Sequence, residues 1–499
     1  MGAGIRQEPG SLWAGRPSRL FIASFRTKFP LLFVFLQHTA LRARTMKTKR
    51  RVMTRVETPW TSTDGRGKRR ISTMVNPMKA PAPGNRLPYR RGSVEYCLGT
   101  EADHEAVYQT LLHVFHGPDR ESFLGALSDP VYRPDQRLLA KVDGRIVSHV
   151  HLTDRSLRYG SVVIPVNGVI WVGTLPEFRG MGFAQNLMRL ASQRARENGV
   201  VLQVLTTGMP QFYRPLGWGV CGRQTFAQTM SRNLPQVSDG MIEGRGAFWH
   251  VRPWRQVELS DLMALYELQY AHTTGTIVRT EEYWRWMIGR KYAHVIWVAC
   301  QGETVRGYAF IKDHKVLEIA CDPAYPQALR ALLGRVRAEA LERAYPEVIV
   351  SAPSDHPVID AVRTASGKII DQDAYEGTVS MYHIPDLGGF LKGILPELAR
   401  RAVASGCVLP LELGICVEDE RWLIHIDGKH SRVEPEKLSR RHLTLTQSAL
   451  VRLLMGHTGI TAASDEEGFI ASTSTALDAA RILFQPEPIW RSPLDSATA

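Results

Sequence analysis

The 499-residue sequence predicts an α+β chain of three folded units set behind a basic leader. Three observations carry this reading. Val169-Ile-Trp-Val-Gly-Thr-Leu175 is a short apolar run, ended by Pro176, that passes through a glycine turn into an amphipathic helix. The outline of that unit returns 147 residues on, where Pro323 stands as Pro176 stood. The last hundred residues then read as helix, strands and helix again, with turn signals between them.

The leader comes first in the chain and contributes least to function. Residues 1–93 hold twenty Lys or Arg and three acids, a net of +17, so the overall +13 leaves −4 for residues 94–499. The folded part is mildly acidic, which argues against nucleic acid as a partner. The one apolar run of the leader, Phe29 to Leu36, is far short of the ~20 residues a membrane span needs. It comes late, and Gln37-His-Thr-Ala-Leu-Arg42 after it lacks a small-x-small cleavage site. An Arg-rich transit peptide is one reading. The preferred one is a disordered or misassigned segment, with the true start at Met46, Met53 or Met74. Six scattered Cys without a C-x-x-C pair, and no N-x-S/T sequon, suit a cytoplasmic protein with no metal site and no membrane partner.

The first folded unit is expected over residues 94–235. Thr100 caps a helix over Glu101–Leu112. Asp143-Gly144 joins a hairpin that runs from Arg137 to Leu152. Strands Val162–Val166 and Val169–Leu175 follow around Asn167-Gly168, then the helix to Asn198-Gly199 and a strand over Val200–Thr206. His149 and His151 alternate on a strand with no third partner in register and read as ordinary strand residues. A helix whose first turn is glycine-rich presents free N–H groups and a positive dipole end, which suits a phosphate.

In that strand–turn–helix setting, Arg179-x-x-Gly182-x-Ala184 resembles the acyl-CoA pyrophosphate loop of the GCN5-related N-acetyltransferase (GNAT) superfamily. It is neither a dinucleotide G-x-G-x-x-G nor a P-loop. Tyr213-Arg-Pro-Leu-Gly217-Trp is similar to the segment of that superfamily which sets a tyrosine hydroxyl beside the CoA sulfur; a packed aromatic before a turn is the other reading of Tyr213.

Residues 245–385 repeat the outline. A helix over Glu258–Thr273, a hairpin of Val295–Cys300 with Val305–Lys312, a strand Val316–Cys321, a helix Tyr325–Arg343 and a strand Glu347–Ser351 are expected. The loop after Pro323 has no Arg-x-x-Gly-x-Gly/Ala, and the position matching Tyr213 is apolar, near Ile359. This unit resembles a GNAT fold without its cofactor loop. Tyr283-Trp-Arg-Trp286 reads as packing rather than a stacking platform for a base. In residues 386–499, helix Phe390–Ala404, strands Val408–Val417 and Arg421–Asp427, helix Gln447–Met455 and helix Ala476–Phe484 look like a sterol-carrier-protein-2-like domain with a C-terminal tail. Tandem GNAT units followed by such a domain resemble the enhanced-intracellular-survival (Eis) type of acetyltransferase.

The resemblance implies an N-acetyltransferase that uses acetyl-CoA as co-substrate. Its acceptor would be a primary amine of a cationic small molecule (aminoglycoside- or polyamine-like) or of lysine. Arg179, Gly180, Met181, Gly182, Phe183, Ala184 and Gln185 would hold the pyrophosphate, and the backbone of Val172, Gly173 and Thr174 would pair with the pantetheine arm. Tyr213 would be the general acid. The base would be the C-terminal carboxylate of Ala499, with Asp495 as its competitor. Asp119 and Glu121 could draw in a cation, though solvation is their plainer role. Oligomeric state is left open, with a homo-oligomer compatible. The alternatives are a non-catalytic acyl-CoA or lipid-binding protein and an aminoacyl-transferring relative.

Overall fold

The computed structural model describes residues 88–91, 93–222, 224–236, 249–375, 377–465, 468–487 and 489–497. Nearly all of the leader, and Ala499, lie outside these. The first part of the chain forms β1 (Tyr89–Arg91), β2 (Val94–Leu98), α1 (His104–Phe115), α2 (Arg120–Leu127), β3 (Arg137–Val142), β4 (Arg145–Tyr159), β5 (Val162–Thr174), α3 (Phe183–Glu197), β6 (Leu202–Thr207), α4 (Pro210–Tyr213), β7 (Gly219–Val220) and β8 (Gln224–Met230). Asp143 and Gly144 both have positive φ, 49° and 81°, as the two-residue hairpin turn requires. Asn167-Gly168, expected as a break, lies inside the continuous β5. Asn167 Nδ2 donates to Asp154 Oδ1 at 2.7 Å, and a Cβ on Gly168 would sit 2.4 Å from Thr153 Oγ1. The pair therefore serves close strand approach; the turn falls at Gly160 (φ 53°).

The second part forms β9 (Trp249–Pro253), α5 (Leu259–Tyr270), α6 (Glu281–Gly289), β10 (Val295–Gln301), β11 (Thr304–Lys312), β12 (Lys315–Cys321), α7 (Pro326–Glu342), β13 (Glu347–Ser351), α8 (Pro357–Thr364), β14 (Lys368–Gln372), β15 (Ala374–Tyr375) and β16 (Thr378–His383). The third forms α9 (Leu387–Ala404), β17 (Leu411–Val417), β18 (Glu420–Ile426), β19 (Arg432–Pro435), β20 (His442–Leu445), α10 (Gln447–Leu454), α11 (Ile460–Ser464), β21 (Ile470–Ala471), α12 (Ser474–Leu483) and α13 (Pro493–Ala497).

Three mixed sheets result, with orders β1-β2-β3-β4-β5-β6-β16-β15, β14-β8-β13-β12-β11-β10-β9 and β19-β18-β17-β20-β21. Three strands cross the linear division expected at 235 and 245: β8, β15 and β16. β8, from the first part, pairs antiparallel with β13 and β14 in the second sheet. β16, from the second, pairs with β6 and β7 in the first. Sheet membership therefore does not follow chain order for β8, β15 and β16, which lie in the other part's sheet.

The first sheet packs α3 on one face, where Phe183, Leu187, Leu190 and Ala191 meet Val150, Val169 and Leu205. α1 and α2 cover the other face through Val107, Leu111 and Phe123. The outer half of the β4–β5 hairpin continues into the third unit: Leu157, Tyr159 and Ile164 share a core with Phe390, Ile394 and Leu398 of α9. Tyr283 and Trp284 of α6 are buried in the second unit's core, in keeping with packing.

Candidate active site

β5 and β6 run parallel, and their paired residues are Val166–Gly168 with Leu202–Val204. Beyond Gly168 the described residues show no further pairing between them, so the strands part. Thr174 then leads through Pro176–Phe178 to α3. Gly180 and Gly182 take φ of 79° and 80°, and Gly182 caps α3 in the left-handed region. A Cβ on Gly180 would meet nothing within 4 Å, so these glycines serve backbone conformation and an open approach rather than tight packing. The first turn of α3 has no acidic residue, which leaves its N–H groups and dipole free to favour an anion.

The expected cofactor residues fall into two kinds. Arg179, Gly180, Met181 and Gln185 are exposed around the helix start, with Gly182 and Ala184 half-buried beside them. Phe183 is a core residue, so only its backbone faces the loop. Arg179 Nε donates to the Thr174 carbonyl at 3.2 Å and ties the loop to the strand end. Val172 and Thr174 are half-buried and Gly173 is buried. Ser148 Oγ donates to the Gly173 carbonyl at 2.9 Å and lies 2.9 Å from Thr174 Oγ1. These features fit an extended acyl-CoA arm along β5 with its diphosphate at α3.

Tyr213 lies in the same core cluster as Val172, at 8% exposure. Burial pushes its phenol up to about 12 against a smaller lowering by a hydrogen bond with Thr207, so it keeps its proton at neutral pH. Its ring packs edge-on to Phe212 at 4.8 Å and to Trp218 at 6.0 Å. Trp218 stacks on His383 at 5.4 Å. His383 Nδ1 faces the Gly217 carbonyl, so Ser192 Oγ donates to its Nε2 at 2.8 Å. The wall behind Tyr213 thus includes a residue of the exchanged strand β16.

One feature carried no sequence signal. The β4–β5 register steps from His149↔Gly173 to His151↔Ile170, so Trp171 and Val172 stand opposite Val150 alone. Trp171 holds φ 52° in this bulge, a costly conformation for a bulky residue. His149 is not the ordinary strand residue expected. Its Nδ1 lies 3.0 Å from the Trp171 carbonyl and its Nε2 3.1 Å from Arg137 Nη1. Burial, then the charge of Arg137, hold it down to about 3. Neutral, and facing a guanidinium that only donates, His149 carries its proton on Nδ1 and gives it to Trp171.

The candidate bases fare differently. Ala499 lies outside the described residues. Asp495 is 5% exposed and gripped by Arg279, with Nε–Oδ1 and Nη2–Oδ2 both 2.9 Å, while Tyr283 donates to it at 3.1 Å. An ion-paired carboxylate of this kind anchors the tail. Asp119 caps α2 by accepting from Ser122 N–H at 2.7 Å. Among the described residues no group of three or more His, Cys, Asp or Glu could hold a metal ion, and no helix is long and apolar enough to cross a membrane.

The second unit repeats the parted strands, since β12 and β13 pair only at Lys315–Val316 with Ile349–Val350. Tail residues lie at this opening. Trp490 stacks on Tyr270 at 4.9 Å and approaches Ser351 Oγ at 3.4 Å, while Tyr270 donates to the Ile319 carbonyl.

Residues 95–221 match the acetyltransferase (GNAT) domain family. No curated protein matches the chain. Among solved structures, a probable N-acyltransferase of Enterococcus faecalis V583 aligns over 80% of this chain and 99% of its own, with TM-score 0.63 and 16% identity. A GCN5-related N-acetyltransferase of Anabaena variabilis gives 0.64 and 14% over 80% and 99%. Eis1 of Mycobacterium abscessus gives 0.56 and 17% over 78% and 97%. At such identities the structures show likeness of fold. The chain therefore carries a GNAT acetyltransferase domain. It is an acyltransferase.

Proposed function

We propose that the chain moves an acetyl group from acetyl-CoA to a primary amine of a cationic small molecule, aminoglycoside- or polyamine-like, or of lysine. The observation that carries this is the parting of β5 from β6 beside a bulge at Trp171, between the glycine-capped start of α3 and buried Tyr213. In this reading the N–H groups at Gly180–Gln185 hold the diphosphate, and the edge of Val172–Thr174 pairs with the pantetheine arm. The amine nitrogen bonds to the acetyl carbon as the C–S bond breaks. Tyr213 gives its proton to the departing sulfur, and the carboxylate of Ala499 takes one from the amine. The −4 charge of residues 94–499 suits a cationic acceptor. The second unit is read as a GNAT fold without a cofactor loop and the third as a sterol-carrier-like domain, both shaping the acceptor side. The protein is read as cytoplasmic.

The test is thiol release from acetyl-CoA across a panel of amines. Turnover with polyamines, aminoglycosides or lysine peptides supports the reading; no turnover with any amine overturns it.

A further inference from the structure

Buried guanidiniums in this fold are matched by acids. Arg158 meets Glu267, Arg279 meets Glu318 and Asp495, and Arg401 meets Glu397 and Glu487. Arg137, 1% exposed, has no carboxylate partner among the described residues. Its Nε donates to Tyr132 Oη at 2.9 Å, and Tyr132 in turn meets His104 Nε2 at 2.7 Å. Its Nη1 donates to His149, and its charge lies 5.2 to 5.4 Å from the ring centres of Phe123, Tyr132 and Trp171. A buried cation without an acid is costly. Two of the contacts that compensate it meet at the bulge: His149 holds the Trp171 carbonyl, and the guanidinium lies against the Trp171 ring.

The consequence follows from peptide geometry. In a trans peptide the carbonyl of one residue and the N–H of the next point in opposite directions. With the Trp171 carbonyl turned to His149, the N–H of Val172 is turned away from it. We infer that Arg137 is a positioning residue for acyl transfer: acting through His149, it holds Trp171 left-handed and aims the Val172 N–H at the oxygen of the thioester carbonyl. A donor fixed before the reaction stabilises the negative charge that develops on that oxygen. This inference rests on the acetyl-transfer reading above.

The experiment compares wild type, Arg137→Met, His149→Asn and the double variant in steady-state acetyl transfer to an accepted amine. Arg137→Met is expected to lower kcat about ten- to a hundredfold, with KM for acetyl-CoA within about twofold, since the diphosphate loop is untouched. Asparagine can donate to the Trp171 carbonyl without a tautomer to be fixed. On the His149→Asn background, Arg137→Met should therefore cost less than about threefold. An equal loss on both backgrounds, or no loss of kcat in Arg137→Met, overturns the inference. If Arg137→Met does not fold, His149→Leu against His149→Asn decides: leucine should be at least about tenfold slower, and equal rates overturn it. Failure of the wild type with every amine would instead count against the acetyl-transfer reading.

Discussion

Arg279 holds Asp495 through two parallel hydrogen bonds of 2.9 Å, and both side chains are sealed from solvent. The tail is thereby fixed to the second unit four positions before the last residue. Glu318 shares the guanidinium at 2.6 and 2.9 Å, so the site holds one cation between two acids. Asp495→Ala is expected to lower stability by about 3 kcal/mol, because a buried ion then loses a partner. Chemical denaturation measures this, and an unchanged midpoint would contradict a structural role for the pair.

Deleting only Thr498 and Ala499 separates anchoring from catalysis. The lock at Asp495 stays, while the terminal carboxylate moves. If that carboxylate is the base, kcat falls at least about tenfold with an unchanged melting temperature. Turnover equal to that of the full chain would remove the base assignment.

Tyr213→Phe deletes one hydroxyl from a mainly apolar cluster. Loss of its hydrogen bond with Thr207 should cost about 1 kcal/mol. Loss of the acid should cost about 10²-fold in kcat when the acceptor is a good nucleophile. Full activity in this variant would make Tyr213 a packing residue only.

Gly182→Ala places a Cβ on a residue at φ 80°, where left-handed backbone costs about 1–2 kcal/mol. The loop relaxes that strain by shifting the N–H groups it presents. KM for acetyl-CoA should rise several-fold with a smaller change in kcat. An unaltered KM would argue that the diphosphate is held elsewhere.

Glu397 links α9 to the tip of the β4–β5 hairpin. It accepts from Ser161 Oγ at 2.7 Å, Arg400 Nη2 at 2.7 Å and Arg401 Nε at 2.8 Å. Burial pushes its carboxyl up, but these hydrogen bonds outweigh it and hold the group well below the usual carboxylate range. A carboxylate depressed in the folded state stabilises the fold above its unfolded value, about 4.3, and loses that contribution as pH falls below it. Glu397→Gln should therefore melt lower than wild type at pH 7, and the gap should narrow below about pH 4. A gap independent of pH would rule the linkage out.

Much of the fold was legible because it is written in local chemistry. Asp143-Gly144 marks its hairpin, Asn198-Gly199 ends α3, and Pro176 and Pro323 close equivalent strands. The glycine turn before α3 was legible for the same reason, since glycine is needed where φ is positive. Partners distant in sequence were not. Nothing in Gln224–Met230 states that it will pair with Glu347–Ser351, and Asn167-Gly168 carries turn chemistry used instead for close contact with Asp154 and Thr153. The bulge at Trp171 was silent because a tryptophan gives no hint of left-handed backbone. Asp495 could be read as a base because its partner, Arg279, lies 216 positions earlier.

The exchanged strands have a consequence for biosynthesis. β6, beside the proposed cofactor cleft, receives its outer neighbour only from Thr378–His383. A ribosome that has made all of residues 94–235 has therefore not yet supplied the strand that covers this edge. Until β16 emerges, β6 presents open hydrogen-bonding groups to other chains. The catalytic domain must mature late and together with its neighbour. An expression fragment cut at residue 235 should aggregate, whereas one that extends through His383 carries the strand it needs.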